Sequence, residues 1–551
     1  MAKISFTRAE RSPIRPFLSP FCSNQPDIPK FCHKGKEIRI IGELSGIFTK
    51  TLRYFAVKDI FIIFVARYRI MAQIIGRKEE IAQLLRCYEK KESQLVAIYG
   101  RRRVGKTFLV DEALKGKITF RHAGLSPVDQ EGKRNSLREQ LKNFYFSLQR
   151  HGMPKSKCPT SWMEAFYALE TLLDRIDNNE RQVLFFDELP WMDTPKSGFL
   201  TAFESFWNGW GCHKENLMVV VCGSANSWIL DKLINNHGGL YNRLSASIKL
   251  SPFTFKECEE FFASREIQLS RYDILQSQMI LGGVPYYLDL FKKGYSFSQN
   301  IDSLFWGENA KLSDEFSRLF ASVFSNPEEM KKIVLALSEN RKGLTRSQIA
   351  RNTRIELNGE LTRKLKALSE SDFIVKYFPF GESRREPYYK LTDPFCMFHS
   401  KFIENKNITD PYYWTDNQTS QNVVAWRGFA FEDLCFRHIR QIKAALGISG
   451  VATEHSAWCI SGDGNNPGNQ IDLIILRKDN VANLCEMKYY SGDFTVTGDY
   501  YKTILNRRTL LSDALPKKYA VHSTLVTTFG LKYNSYSGVF QKTITLDDLF
   551  E

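Results

Sequence analysis

Eight residues constrain this chain more than any others: Gly100-Arg-Arg-Arg-Val-Gly105-Lys106-Thr107. They follow the apolar run Gln94–Tyr99, which suits a buried parallel strand, and they precede the helix-like stretch Phe108–Leu114. Strand, glycine loop, helix is the context in which GxxxxGK(S/T) cradles phosphate. The glycines let backbone N–H groups curl around phosphate oxygens, and the helix N-terminus adds a positive dipole. In this reading Gly100, Arg101, Arg102, Arg103, Val104 and Gly105 form the cradle. Lys106 reaches the β- and γ-phosphates of ATP, and the Thr107 hydroxyl coordinates Mg²⁺. A glycine-rich turn is the alternative, and it loses ground once the next motif is counted.

That motif is Val183-Leu-Phe-Phe186-Asp187-Glu188, an apolar strand ending in two carboxylates. Acids at the C-terminal end of a strand face the crevice where α/β sheets bind ligands. Asp187 is expected to hold Mg²⁺, directly or through water, and Glu188 to polarise an attacking water. Two solvated acids capping a strand are the bland reading. A third strand, Leu217–Val221, ends in Cys222-Gly-Ser224-Ala-Asn226. Ser224 there could sense a γ-phosphate, or equally serve in a local turn or helix cap. Arg243, just before the strand-like Ser247–Leu250, is either a finger onto a γ-phosphate or a surface residue.

Composition sets the outer limits. The chain has 551 residues, enough for three or four domains, with 43% hydrophobic and 25% charged residues, as in ordinary globular proteins. No run of about 18 uncharged apolar residues exists, so no spanning helix and no membrane partner are expected. Eleven cysteines form no CxxC pair, and no HxxxH occurs, which argues against zinc fingers and disulfide frameworks and for reduced thiols in the cytoplasm. Net charge is +15, but residues 1–70 carry 13 basic and 5 acidic side chains. Over half of the excess therefore sits in one segment, which weakens any whole-protein argument for polyanion binding. That segment lacks a sustained helical or strand period, and orderly patterning begins at Met71. It is read as an over-extended start, or else a disordered basic leader.

Residues 326–405 show a helix-like Pro327–Ser338, a capped start at Thr345 with Gln348 three residues on, a third helix from Asn358 to Leu368, and a hairpin around Gly381–Arg385. Three helices and a hairpin describe a winged helix-turn-helix. Arg363, Lys364 and Lys366 would lie on its recognition helix, with Arg384 and Arg385 in the wing, offering DNA contact. The alternative is a solvated helix face in a bridging or protein-binding module, since the net charge over residues 326–400 is only +4. Residues 406–420 read as a linker. Beyond it, Trp426–Phe436 is amphipathic with Phe429, Glu432 and Phe436 on one face, and Gln470–Leu476 and Val481–Lys488 read as a hairpin. Glu486 and Lys488 share a face of that second strand.

Taken together, the Gly100–Thr107 loop, the Asp187-Glu188 strand end, Cys222-Gly-Ser-Ala-Asn226 and Arg243 resemble the AAA+ superfamily. Ile75-Gly76-Arg77-Lys-Glu-Glu-Ile81, Leu250-Ser-Pro-Phe and Gly282-Gly-Val-Pro285-Tyr-Tyr are similar to STAND-like, archaeal-type ATPases of prokaryotes. One departure is the lack of an arginine near Gly282–Leu288 to act as a second sensor. Asp472, Glu486 and Lys488, with Glu432 matching a first-helix acid, resemble the PD-(D/E)xK nucleases, although Ile471 stands where proline is usual. The resemblance implies Glu432, Asp472 and Glu486 as metal ligands and Lys488 as a catalytic lysine. It also implies an order along the chain: an α/β P-loop domain over 71–250, a helical lid over 251–325, a winged helix over 326–405, and a restriction-endonuclease-like α/β domain over 421–551. An ATPase controlling a DNA-binding or DNA-cutting output is the leading expectation. An ATP-dependent switch whose C-terminal modules bind protein partners is the alternative, with oligomerisation left open.

Overall fold

Between residues 94 and 250 short apolar strands alternate with amphipathic helices, the pattern that builds a parallel sheet covered on both faces. The structure is a computed structural model describing residues 74–127, 135–235, 238–324, 326–380, 386–406, 408–460 and 469–551. The expectation for residues 1–70, and the wing arginines Arg384 and Arg385, lie outside the described residues.

Five strands, β1 (Gln94–Gly100), β2 (Ile118–Ala123), β3 (Gln182–Asp187), β4 (Leu217–Gly223) and β5 (Ala246–Leu250), pair in parallel in the order β2-β3-β4-β1-β5. Side chains alternate across this sheet. Leu95 and Ala97 join one buried cluster rich in Phe and Trp, while Val96 and Ile98 join a second on the opposite face. The register sets Tyr99 beside Gly223 and Phe186 beside Val221, so β1, β3 and β4 end along one edge. That edge is where the motifs fall.

Helices Phe255–Ser264, Arg271–Leu281, Phe297–Phe305 and Glu315–Val323 follow, three of them opened by capping boxes at Thr254, Ser270 and Ser296. Next come helices Pro327–Ser338, Arg346–Thr353 and Gly359–Glu370, with a small antiparallel sheet of β6 (Leu344–Thr345), β7 (Ile374–Tyr377) and β8 (Tyr388–Leu391) ordered β6-β8-β7. The box at Thr345 and Gln348 forms as its sequence suggests.

The last module has a second five-stranded sheet: β9 (Thr453–Ile460), β10 (Asn469–Arg477), β11 (Val481–Lys488), β12 (Ala520–Thr527) and β13 (Lys542–Ile544). Its order is β13-β12-β11-β10-β9, antiparallel from β9 to β11 and parallel beyond. Helices Gln421–Arg437 and Gly498–Ala514 accompany it.

Domain boundaries drawn from sequence at 325, 405 and 420 do not separate hydrophobic cores. One buried cluster runs from Phe253 through Phe373 and Trp414 to Phe550. The stretch read as a linker is held within it. Trp414 is fully buried among Phe398, Phe402 and Trp426, and its backbone N–H donates to Asp302 Oδ1 at 2.7 Å. Among the described residues no helix is long and apolar enough to cross a membrane.

Candidate functional site: a glycine loop against two strand ends

β1 delivers Gly100 to the sheet edge with φ +150°, and a Cβ built there would stand 2.1 Å from the Leu250 carbonyl oxygen. Only glycine lets the chain turn there against β5. The loop then enters the helix Lys106–Ala113 through Gly105, itself at φ +90°.

Lys106 folds back over the loop. Its Nζ donates to the carbonyls of Gly100 (3.0 Å) and Arg101 (3.1 Å) and to Ser224 Oγ (3.2 Å). Burial draws its ammonium below the usual lysine range, opposed by the nearby charges of Glu188 and Asp187. The Thr107 hydroxyl donates to Asp187 Oδ2 at 3.0 Å. From β4, the Ser224 hydroxyl donates to Glu188 Oε1 (2.6 Å) and its N–H to Oε2 (2.9 Å). Glu188 needs this grip because its backbone is left-handed at φ 47°, a conformation costing a side-chain-bearing residue about 1 kcal/mol or more. Lys106, Thr107, Asp187, Glu188 and Ser224, separated by over a hundred positions, thus meet at one edge. A hydroxyl and a carboxylate side by side are the donor set expected of a Mg²⁺ site at a phosphate cradle.

Sequence reasoning missed several partners. Asn226 Oδ1 accepts from Gly100 N at 2.9 Å, while its Nδ2 donates to the Glu370 carbonyl at 2.9 Å. Cys222 Sγ donates to Asp187 Oδ1 at 2.7 Å. The loop arginines are anchored too. Arg101 is ion-paired with Asp393, both almost fully buried, and Arg103 pairs with Glu315 at 2.8 Å beneath Tyr286. Glu315 also accepts from the Tyr287 hydroxyl at 2.9 Å. The motif quoted around Asn226 held a signal for that residue; nothing local marks Asp393 or Glu315.

Other sequence-derived candidates stand differently. Arg243 is exposed on the turn before β5, and among the described residues no hydrogen bond or ion pair ties its side chain to the loop. The helix Gly359–Glu370 does not present three cations to solvent. Lys364 is buried and paired with Glu329 (2.9 Å) and Glu360, which leaves Arg363 and Lys366 exposed, the latter reaching Asp231 at 2.6 Å. Packing decides this, because the helix lies against the segment Asn226–Ile229.

In the second sheet Lys488 Nζ lies 3.6 Å from Asp472 Oδ2 and 3.7 Å from Glu486 Oε2. Asp472 Oδ2 accepts from Met487 N (3.0 Å). Glu486, fully buried, accepts from Arg507 (2.5 Å) and the Tyr500 hydroxyl (2.9 Å), two partners the spacing did not suggest. Burial, reinforced by the Asp472 charge, pushes the Glu432 carboxyl up to about 8. Acids and lysine are therefore neighbours here. Yet among the described residues no three His, Cys, Asp or Glu side chains stand close enough to hold a metal ion. Glu486 is turned toward Arg507 instead.

The chain is similar to several known proteins. An uncharacterized protein of Methanocaldococcus jannaschii is 24% identical over 454 residues, covering 81% of this chain and 94% of that protein. An uncharacterized ATP-binding protein of the same organism is 40% identical over 47 residues, 8% of this chain and 80% of that protein. Among solved structures, the Walker-type ATPase of Pyrococcus abyssi is 18% identical, with a TM-score of 0.41 over 60% of this chain and 96% of that chain. The ORC2 protein of Aeropyrum pernix is 12% identical, with a TM-score of 0.37 over 59% and 93%. Residues 74–291 match the family described as an ATPase domain predominantly from Archaea, and with the P-loop at the edge of a parallel five-stranded sheet they form an archaeal-type ATPase domain.

Proposed function

We propose that the chain binds ATP with Mg²⁺, hydrolyses it, and uses its nucleotide state to control an output from the segments beyond residue 326. The convergence of Lys106, Thr107, Asp187, Glu188 and Ser224 carries this reading. Lys106 would neutralise the β- and γ-phosphates, Thr107 and Asp187 would hold Mg²⁺, and Glu188 would orient the attacking water, with Ser224 sensing the γ-phosphate and Arg243 acting as a finger. Lys106→Ala should abolish nucleotide binding, whereas Glu188→Gln should keep ATP bound and stop turnover. Parent-rate hydrolysis by Lys106→Ala would sink the assignment.

For the output, two readings compete. In the first, residues 326–405 are a winged helix and residues 421–551 a PD-(D/E)xK-like nuclease in which Glu432, Asp472 and Glu486 hold a divalent ion and Lys488 stabilises charge on phosphorus. The proximity of Lys488 to Asp472 and Glu486 supports it. In the second, the same modules bind protein partners in an ATP-driven switch. The burial and pairing of Lys364 favours that reading for the helix Gly359–Glu370. Calorimetric titration of the full chain with Mn²⁺, alongside a plasmid-nicking assay, separates them.

A further inference from the structure

A cavity of about 1450 Å³ opens between the β7–β8 hairpin and the β9–β10 face of the second sheet. It exceeds the roughly 300–1,000 Å³ typical of small-molecule clefts. The segment after β7 forms one wall by docking on β9. Phe380 N donates to the Ala457 carbonyl at 3.3 Å, and its ring meets Trp458 edge-on at 5.3 Å between centroids. Half-buried aromatic rings, Tyr377, Phe380, Phe436 and Trp458, line the space. Exposed Lys376 and Arg440 stand at the same lining, and Arg437 reaches it with Nη1 buried and lacking a partner. Glu432 and Asp472 also face it. Most acids of the lining already have cations: Asp433 has Lys390 at 2.5 Å, Asp372 has Lys249 at 2.7 Å, and Asp472 has Lys488 at 3.6 Å.

We infer that this cavity binds single-stranded nucleic acid, and that a single strand rather than a duplex is what reaches Glu432 and Asp472. The inference rests on the nuclease-like reading for its catalytic end but not for binding. Two observations separate strand from duplex. A duplex is read by a helix or ribbon entering a major groove about 12 Å wide, and its cations must be available for phosphate. Among the described residues the helix read for that task, Gly359–Glu370, buries Lys364 against Glu329 and Glu360 and keeps only Arg363 and the Asp231-paired Lys366 exposed. A single strand asks for something else: flat aromatic faces on which unpaired bases stack, interleaved with cations that follow the backbone. Tyr377, Phe380 and Trp458 with Lys376 and Arg440 supply that pairing beside the two acids.

The test measures binding of the full chain to a fluorescent single strand of about 12 nucleotides, within the range that single-strand folds occupy. The same sequence as a duplex is the comparison, with EDTA present so that cleavage plays no part. The strand should bind at least tenfold tighter than the duplex. Trp458→Ala should weaken it by about tenfold, the loss expected from one stacked base. Lys376→Ala with Arg440→Ala, both exposed and so compatible with folding, should weaken binding and flatten the slope of log K against log salt by about 1.4. Neither variant should alter ATP binding. Equal or tighter duplex binding would overturn the inference, as would strand binding unchanged in the Lys376/Arg440 variant with an unaltered melting temperature. Strand binding without nicking under Mg²⁺ or Mn²⁺ would remove only the nuclease reading. Nicking without cavity-dependent strand binding would remove only this one.

Discussion

Asp393 is the side chain whose removal the structure prices most clearly. Its carboxylate is 1% exposed and pairs with the 2% exposed Arg101 of the glycine loop, whose guanidinium also lies over Phe373 at 5.3 Å. Its other oxygen accepts from Cys396 N at 2.8 Å and caps the helix Pro394–Phe402. Asp393→Asn keeps a capping oxygen but strands a buried cation, a loss of roughly 3–5 kcal/mol. Asp393→Ala removes the cap as well, adding about 1 kcal/mol. Against a typical stability of about 5–15 kcal/mol, either change is large. The double change Arg101→Met with Asp393→Leu removes both charges, and apolar replacement of a buried pair is often neutral or stabilising. The double variant should therefore be clearly more stable than Asp393→Asn alone. Urea unfolding followed by tryptophan fluorescence compares the parent with these three variants. A loss below about 1 kcal/mol for Asp393→Asn, or a double variant no better than the single, would refute the claim that Arg101 depends on this carboxylate.

Gly100→Ala should lower the melting temperature and abolish nucleotide binding, since its Cβ would fall 2.1 Å from the Leu250 carbonyl oxygen at φ +150°; unchanged binding in a nucleotide titration would contradict this. His122 is buried against Phe144 with Nδ1 2.9 Å from Ser147 Oγ, and burial pulls it down to about 3. It stays neutral in the fold but protonates when unfolded, so the stability it contributes is complete above its usual value near 6.5 and drains away as pH falls toward 3. Between about pH 7.5 and 5.5 the parent should lose roughly 1.4 kcal/mol more than His122→Asn; parallel curves for the two proteins would count against it. Asp472→Ala with Lys488→Ala should abolish any metal-dependent nicking and leave ATP turnover intact. Metal binding that survived in that variant would mean other ligands hold the ion.

The sequence alone determined the parallel sheet and the cradle at its edge. Apolar runs of parallel-strand length, a GxxxxGKT loop and a strand ending in two acids are local patterns, and local patterns survive without knowledge of contacts. Ser224 could be named for the same reason, standing three residues past the apolar run Leu217–Val221. The capped helix at Thr345 and the hairpin carrying Asp472, Glu486 and Lys488 were legible in the same way. Partners were not. Asp393 meets Arg101 and Glu315 meets Arg103 across about two hundred or more positions of chain. An acid in a helix start carries no mark of which cation it will face. The same blindness made Lys364 look like a groove-reading cation, because charge on a helix face is visible in sequence and its burial against Glu329 and Glu360 is not. Tertiary packing likewise drew the connecting segment around Trp414 into a core running from Phe253 to Phe550, and closed a cavity between β7 and β9. Secondary structure is written in spacing a few residues long, whereas charge pairing and enclosure depend on which surfaces meet, and that is decided only when the whole chain has buried its apolar faces.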